Sequence, residues 1–300
     1  MISAVYFGAH QFSAPILEAL INSGLFDIKL VVTQPDRPTG RKQEIQMSRV
    51  KIVALKYHIP IDQPATLKEY TVPVEADINL VCKYGLIIPE KILYRPRYGS
   101  INVHASLLPK YRGASPIQSA LIHGDIETGV TIMQMDKAMD HGAILSQQTV
   151  EILPDDTCET LSERLAPTEA ETLIKTVPKY IAGEIKPVEQ NHELATFCRE
   201  FKREDGEIKL DKTATEIYNL YRGLTPWPGI WTMWNGKRLK LLKIKPVNES
   251  APAGKIIAKN NKLLVGCADN TTIEILELQL EGKAMTEAKN FINGFKNLLE

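Results

Sequence analysis

The sequence predicts an α/β chain whose N-terminal domain is an open, mostly parallel, Rossmann-like sheet and whose C-terminal domain is a small OB-like β-barrel. Three observations carry this. Short apolar runs alternate with helical patterns through the first half, as βαβ units require. The chain changes character after Asp205-Gly206. Five short β-rich runs then follow, with an Asn235-Gly236 hairpin turn between the first two. The expected boundaries are 1–188 for the first domain, 189–204 for a linker and 205–300 for the second, and 300 residues suffice for two cores.

In order, Ile2 to Phe7 reads as a buried strand and Gly8 as its turn, and Ser13-Ala14-Pro15 starts a helix that Gly24 ends. Ile28 to Thr33, Ile78 to Cys82 and Ile101 to His104 are the next strands, with a helix over Val50 to Tyr57. Gly8-Ala9-His10-Gln11-Phe12 is not G-x-G-x-x-G, and no P-loop occurs, which argues against a dinucleotide site. Pro154 to Ile181 carries a helical apolar stripe, and Pro167 predicts a broken pair of helices rather than one rod. Ala214 to Tyr221 is helical. The five β runs are Ile230 to Trp234, Arg238 to Ile244, Gly254 to Ala258, Lys262 to Cys267 and Ile273 to Leu280, and a short helix closes the chain after Thr286.

Composition excludes more than it selects. Charges balance at 36 basic against 36 acidic, so bulk charge names no partner. From Lys237 to Lys262, however, eight lysines and arginines meet only Glu249, which predicts a locally basic face. Cys82, Cys158, Cys198 and Cys267 form no C-x-x-C pair, arguing against zinc and disulfides and for a reducing cytoplasm. The chain opens on a strand without the pattern of a signal peptide, and no apolar run approaches the roughly 18 residues of a membrane span.

Candidate chemistry gathers between Ser100 and Leu145. Asn102 and His104 lie two residues apart at the end of a strand, so their side chains share a face, and an amide beside an imidazole can bind an oxyanion. A stiff Ser106-Leu107-Leu108-Pro109 turn follows, then Lys110 and Arg112, then a helix that Ser115 can cap and Pro116 can open. The Thr128 to Met135 strand leads to Asp140 in an Asp-His-Gly turn, read as a second strand end where a parallel sheet collects functional groups. Such a carboxylate can accept a proton. The Gln34 to Arg49 loop holds Arg37, Arg41, Lys42 and Arg49, with Pro35, Pro38 and Gly40 keeping it from becoming helix or strand. The apolar run after Lys83, up to Pro89, reads by itself as core. His10, His58, His123 and His192 read as structural or exposed, since no metal-ligand spacing joins them.

The Asn102-x-His104 pair, the SLLP turn, the arginine loop and Asp140 together resemble the folate-dependent formyltransferase superfamily. Within it, GVTIMQMD, the Gln34-Pro35-Asp36-Arg37-Pro38 loop and Pro226-Trp227-Pro228-Gly229 resemble the branch that formylates methionyl-tRNA. The likeness runs from Val5 to about Asn290. It implies transfer of a formyl group from 10-formyltetrahydrofolate to the α-amine of methionine on initiator methionyl-tRNA, without a metal, by a cytoplasmic monomer away from any membrane. It implies that Asn102, His104 and Asp140 are catalytic. It further implies that Ser106, Leu107, Leu108 and Pro109, with Leu86, Ile87 and Ile88, line the folate pocket, and that Arg37, Arg41 and Lys42 meet the tRNA together with a basic face of the second domain. Some positions depart from the pattern. Glu44 and Gln46 stand where lysine or neutral residues are expected and Met47-Ser48-Arg49 where Pro-Ser-Pro is usual, which makes the loop floppier and less positive; Lys83 replaces a small residue and is left to solvent or to the glutamate tail of the folate, and His141 stands where a small residue or Thr is usual. A nucleotide-sugar amine formyltransferase and a formyltetrahydrofolate hydrolase share the Asn-His-Asp group, and a non-catalytic RNA-binding protein is the rival of another class; the QPDRP loop and the PWPG-led barrel favour the tRNA branch.

Overall fold

The structure is a computed structural model that describes residues 1–39 and 44–299. Its first half follows the expected alternation: β1 (Ile2–Gly8), α1 (Ser13–Asn22), β2 (Phe26–Val32), β3 (Arg37–Thr39), β4 (Glu44–Gln46), α2 (Arg49–Lys56), β5 (Ile61–Asp62), β6 (Ile78–Cys82), α3 (Glu90–Leu93), β7 (Ser100–His104), β8 (Arg112–Gly113), α4 (Pro116–His123), β9 (Glu127–Gln134), β10 (Ile144–Glu151) and α5 (Cys158–Ile181). The main sheet has the order β10-β9-β7-β6-β1-β2-β5. Strands β5, β2, β1, β6 and β7 run parallel, while β9 and β10 are antiparallel to their neighbours. All five residues of β6 are buried, as a central parallel strand covered on both faces must be. From β1 the sheet grows both ways, so its switch point lies between β1 and β6, where Gly8 pairs with Cys82. The loops leaving these two strands border the crevice in which open α/β sheets place their ligands.

Two sequence expectations fail here. Helix α5 is continuous through both Pro167 and Pro178. A proline removes one hydrogen bond and crowds the preceding turn, but Leu161, Leu165, Ala170, Leu173 and Val177 bury one face along the whole length, and that burial outweighs a local defect. The Gln34 to Arg49 segment, expected to be irregular, contains the antiparallel pair β3 and β4 with Arg37 opposite Gln46 and Pro38 opposite Ile45. An isolated two-stranded ribbon is all edge, which is where proline is tolerated in a strand. Arg49 opens α2 instead of ending the loop, and Ser48 caps it by accepting from the Lys51 amide at 3.1 Å.

The chain divides into two compact units that are not contiguous in sequence. One comprises Met1–Pro116, Glu127–Glu151 and Leu161–Arg199; the other comprises Ile117–Ile126, Ile152–Thr160 and Glu200–Glu300. A short β11 (Phe197–Cys198) pairs with β8 in the first unit. In the second, α6 (Ala214–Leu224) opens on a Thr213/Glu216 capping box. An antiparallel sheet follows, built from β12 (Ile230–Trp234), β13 (Lys237–Val247), β14 (Ile256–Lys259), β15 (Lys262–Gly266), β16 (Thr272–Leu280) and β17 (Thr286–Glu287), and α7 (Ala288–Phe295) comes last. Its path is β12-β13-β16-β15-β14, with β17 on β16. The five expected runs are thus all strands. Trp234 packs against Phe291 and Phe295 of α7, which closes one side of this core. Among the described residues no helix is long and apolar enough to cross a membrane, and the four cysteines are free thiols.

Arg222 explains why the Ile152–Thr160 segment travels with the second unit. It is 7% exposed and donates from Nε to the Asp156 carbonyl at 2.8 Å and from Nη2 to the Leu153 carbonyl at 3.0 Å. Arg222→Met preserves the bulk but strands a buried acceptor at Asp156 and a part-buried one at Leu153, so it should lower unfolding free energy by about 2–4 kcal/mol in a urea titration.

Candidate active site

The site is assembled on β7 and on two turns that return to it. Asn102 and His104 project to the same side of β7; His104 is its buried last residue, and Asn102 keeps part of its surface. His104 Nε2 lies 2.9 Å from the carbonyl oxygen of Tyr111, in the loop that follows. A carbonyl only accepts, so Nε2 carries the hydrogen and Nδ1 is the nitrogen at which a proton can come and go. Nδ1 faces Asp140 Oδ2 at 3.6 Å.

Asp140 arrives by a different route from the expected one. Strand β9 is antiparallel to β7, pairing His104 with Thr131 and Ile101 with Gln134, so β9 ends at the edge of the sheet opposite the β7 terminus. The following turn folds back to bring the carboxylate to the middle of β7, with Asp140 at φ 49°. Left-handed backbone is costly for most L residues and tolerated best by Asn and Asp. Oδ1 accepts from Asn102 Nδ2 at 3.3 Å, and Oδ2 accepts from the Gly113 amide at 2.8 Å. The three expected residues therefore meet, although not at two parallel strand tips.

Gly113 is a participant that the sequence reading missed. Its φ is +118°, and a Cβ there would stand 2.1 Å from the Cys198 carbonyl oxygen, so only glycine lets β8 lie against β11 while its N–H points at Asp140. The signal was present in the Arg-Gly pair closing the cationic loop.

The SLLP turn is braced from beneath. Thr131 Oγ1 donates to the Ser106 carbonyl at 2.6 Å and accepts from the Leu108 amide at 3.1 Å, and Gln147 Nε2 donates to the Leu108 carbonyl at 2.9 Å. Ser106 Oγ donates to the Lys110 carbonyl at 2.6 Å. Leu107 lies over Gly129, where an added Cβ would meet Leu107 Cδ2 at 2.4 Å. Ser106 and Leu108 are thus buried, and Leu107 and Pro109 keep partial exposure. In the second expected folate segment, Leu86 is half-buried, Ile87 is 86% exposed and Ile88 is buried.

Lys83, which begins that segment, is turned inward rather than to open solvent. Its ammonium pairs with the Glu169 carboxylate of α5, whose side chain is fully buried. The Lys83 carbonyl accepts from the Ala9 and His10 amides at 3.4 and 3.3 Å, which ties the two switch-point loops together. Although His10 keeps much of its surface, partial desolvation and then the Lys83 charge hold its imidazole below its usual range.

Arg37 is exposed on β3, whereas Arg41 and Lys42 fall outside the described residues. The basic stretch of the second unit differs from its expected character. Pairing with β16 sets Lys243 opposite Glu277 and Lys245 opposite Glu274. Lys245 Nζ is 3.4 Å from Glu274, and Lys262 Nζ is 2.5 Å from Glu249 and 3.9 Å from Glu274. The acids absent from the local sequence arrive from the neighbouring strand.

Comparison with known proteins agrees with this anatomy. Residues 2–177 match the family model described as formyl transferase, and residues 200–296 match that of the formyl transferase C-terminal domain. The methionyl-tRNA formyltransferase of Enterococcus faecalis is 44% identical over 303 residues, covering 98% of this chain and 96% of its own length. That of Koribacter versatilis is 43% identical, covering 97% and 95%. Among solved structures, an N-formyltransferase from Helicobacter canadensis, in complex with folinic acid and dTDP-3-aminofucose, superposes with a TM-score of 0.70 at 20% identity, covering 92% of this chain and 99% of its own. The methionyl-tRNA formyltransferase of Clostridium thermocellum gives 0.58 at 19% identity, covering 84% and 97%. These structural likenesses establish the fold, and the sequence relatives decide among its branches. The chain belongs to the formyl transferase family and, within it, to the methionyl-tRNA formyltransferases, which formylate the methionine carried by initiator tRNA.

Proposed function

We propose that this chain takes the formyl group from 10-formyltetrahydrofolate and that Asn102, His104 and Asp140 handle the charge and the protons as it passes to the methionyl amine. The α-amine attacks the formyl carbon, a tetrahedral oxyanion forms, and the bond to the folate nitrogen breaks. The nucleophile loses a proton and the leaving nitrogen gains one. The observation that carries this reading is the convergence on Asp140 of the Asn102 amide at 3.3 Å, the Gly113 amide at 2.8 Å and His104 Nδ1 at 3.6 Å.

The roles follow from valence. Asn102 Nδ2 has two hydrogens; one serves Asp140, and the other is free for the oxyanion. His104 Nε2–H is engaged by Tyr111, so Nδ1 relays a proton between Asp140 and the reacting nitrogens. Asp140 receives the amine proton. In the folate pocket the apolar Leu86, Ile87 and Ile88 segment supplies walls for a flat ring, and the SLLP turn supplies backbone groups, as suits a largely apolar ligand with a few polar edges. Arg37, Arg41 and Lys42 meet tRNA phosphates.

Asn102→Ala should lower kcat roughly 10²–10³-fold. Asp140→Asn should lower it about 10²–10⁴-fold while folate binding survives. Both are read from transfer of a labelled formyl group to charged initiator tRNA, with elongator methionyl-tRNA, an amino-sugar nucleotide and water as competing acceptors; equal transfer to the sugar, or release to water alone, would overturn the acceptor assignment. Arg41→Ala should raise the tRNA KM, leave folate affinity unchanged, and reduce the slope of log KM against log salt by about one.

A further inference from the structure

The turn that carries Asp140 is gripped from a second side. Gln190, 5% exposed, donates from Nε2 to the main-chain oxygens of Asp140 at 3.0 Å and Gly142 at 2.8 Å. Its amide oxygen accepts from Arg112 Nε at 3.1 Å and Nη2 at 2.7 Å. Two hydrogens and two lone pairs are all the amide has, so its orientation is fully determined. Arg112, 4% exposed, reaches on from Nη2 to His192 Nδ1 at 2.8 Å. The His192 ring stacks on His141 at 4.1 Å and 5°, and His141 Nδ1 lies 2.6 Å from Asp136 Oδ2. The path from Asp136 through His141, His192, Arg112 and Gln190 to Asp140 thus closes on the turn where it began.

We infer that Gln190, set by Arg112 and the stacked histidines, is the positioning residue that holds the Asp140 carboxylate between Asn102, His104 and Gly113. Left-handed backbone at a non-glycine residue persists only where the surroundings over-determine it, and this clamp supplies that constraint. The inference rests on the reading of Asp140 as the proton acceptor. Gln190 touches the backbone of the turn and none of the reacting atoms, so its loss acts on kcat alone. Arg112 only donates, and His192 must therefore offer it a lone pair. An asparagine oxygen can do this, and an alanine cannot.

Steady-state transfer to charged initiator tRNA is measured for the wild type, Gln190→Ala, His192→Ala and His192→Asn, with Asp140→Asn as the reference. Gln190→Ala is expected to lower kcat about 10–100-fold, as misplacement by roughly 1 Å does, with both KM values within about twofold of wild type. His192→Ala should lower kcat less, and His192→Asn should recover most of that loss. Unchanged kcat in Gln190→Ala, a parallel rise in both KM values, or equal activity in the two His192 variants would overturn the clamp. Near-normal turnover in Asp140→Asn would instead remove the underlying reading. If Gln190→Ala does not fold, the His192 pair decides alone.

Discussion

The antiparallel ladder between β7 and β9 is the constraint to which the rest of the site answers. In a purely parallel sheet, successive strands deliver their functional groups to one edge. Here Ile101 pairs with Gln134 and His104 with Thr131, so the chain leaves β9 at the wrong edge. A carboxylate needed beside Asn102 has to be carried back by a turn, and turns are where backbone is least determined. The left-handed Asp140, the bare Gly113 amide that receives it and the buried hydrogen bonds around both are consequences of that topology.

The same ladder lets β9 support the loop that follows β7. Thr131, the register partner of His104, is fully buried and uses its hydroxyl both to donate to Ser106 and to accept from Leu108. The hydroxyl and Gln147 leave the SLLP turn no unsatisfied reason to shift, since a buried polar group is costly unless paired. That rigidity extends to Tyr111, whose carbonyl selects the His104 tautomer.

Strands of the first half were legible because a buried parallel strand is a continuous apolar run, and Ile78 to Cys82 appears within the expected limits. Asn102, His104 and Asp140 were legible as residue types in a recognisable order, but their approach was not, because strand direction is a long-range property that β9 itself does not encode. Helix α5 misled because a local rule about Pro167 was overruled by a stripe extending five turns. Gln190 escaped notice, and His192 was read only as structural or exposed, for the opposite reason: a lone glutamine and a lone histidine in a polar connection carry no pattern, and only folding places them under Asp140. The pairing of Lys83 with Glu169 was hidden in the same way, by 86 residues of separation.

Charge teaches a related lesson. On the sequence, Lys237 to Lys262 is the most basic stretch, and a phosphate backbone would be expected to settle there. Strand pairing sets Glu274 and Glu277 against Lys245 and Lys243, and a side-chain ion pair joins Glu249 to Lys262, so part of that field cancels within a few ångströms, well inside a Debye length of about 8 Å. Just before β3, Asp36 is already engaged by Lys51 at 2.5 Å, while Arg37 at the start of β3 stays exposed. A neutral chain can therefore attract a polyanion through a few exposed cations such as Arg37 rather than through its most lysine-rich strand. On the proposed reading, that is why recognition of the tRNA should respond more to Arg37, Arg41 and Lys42 than to the longer run of positive charge.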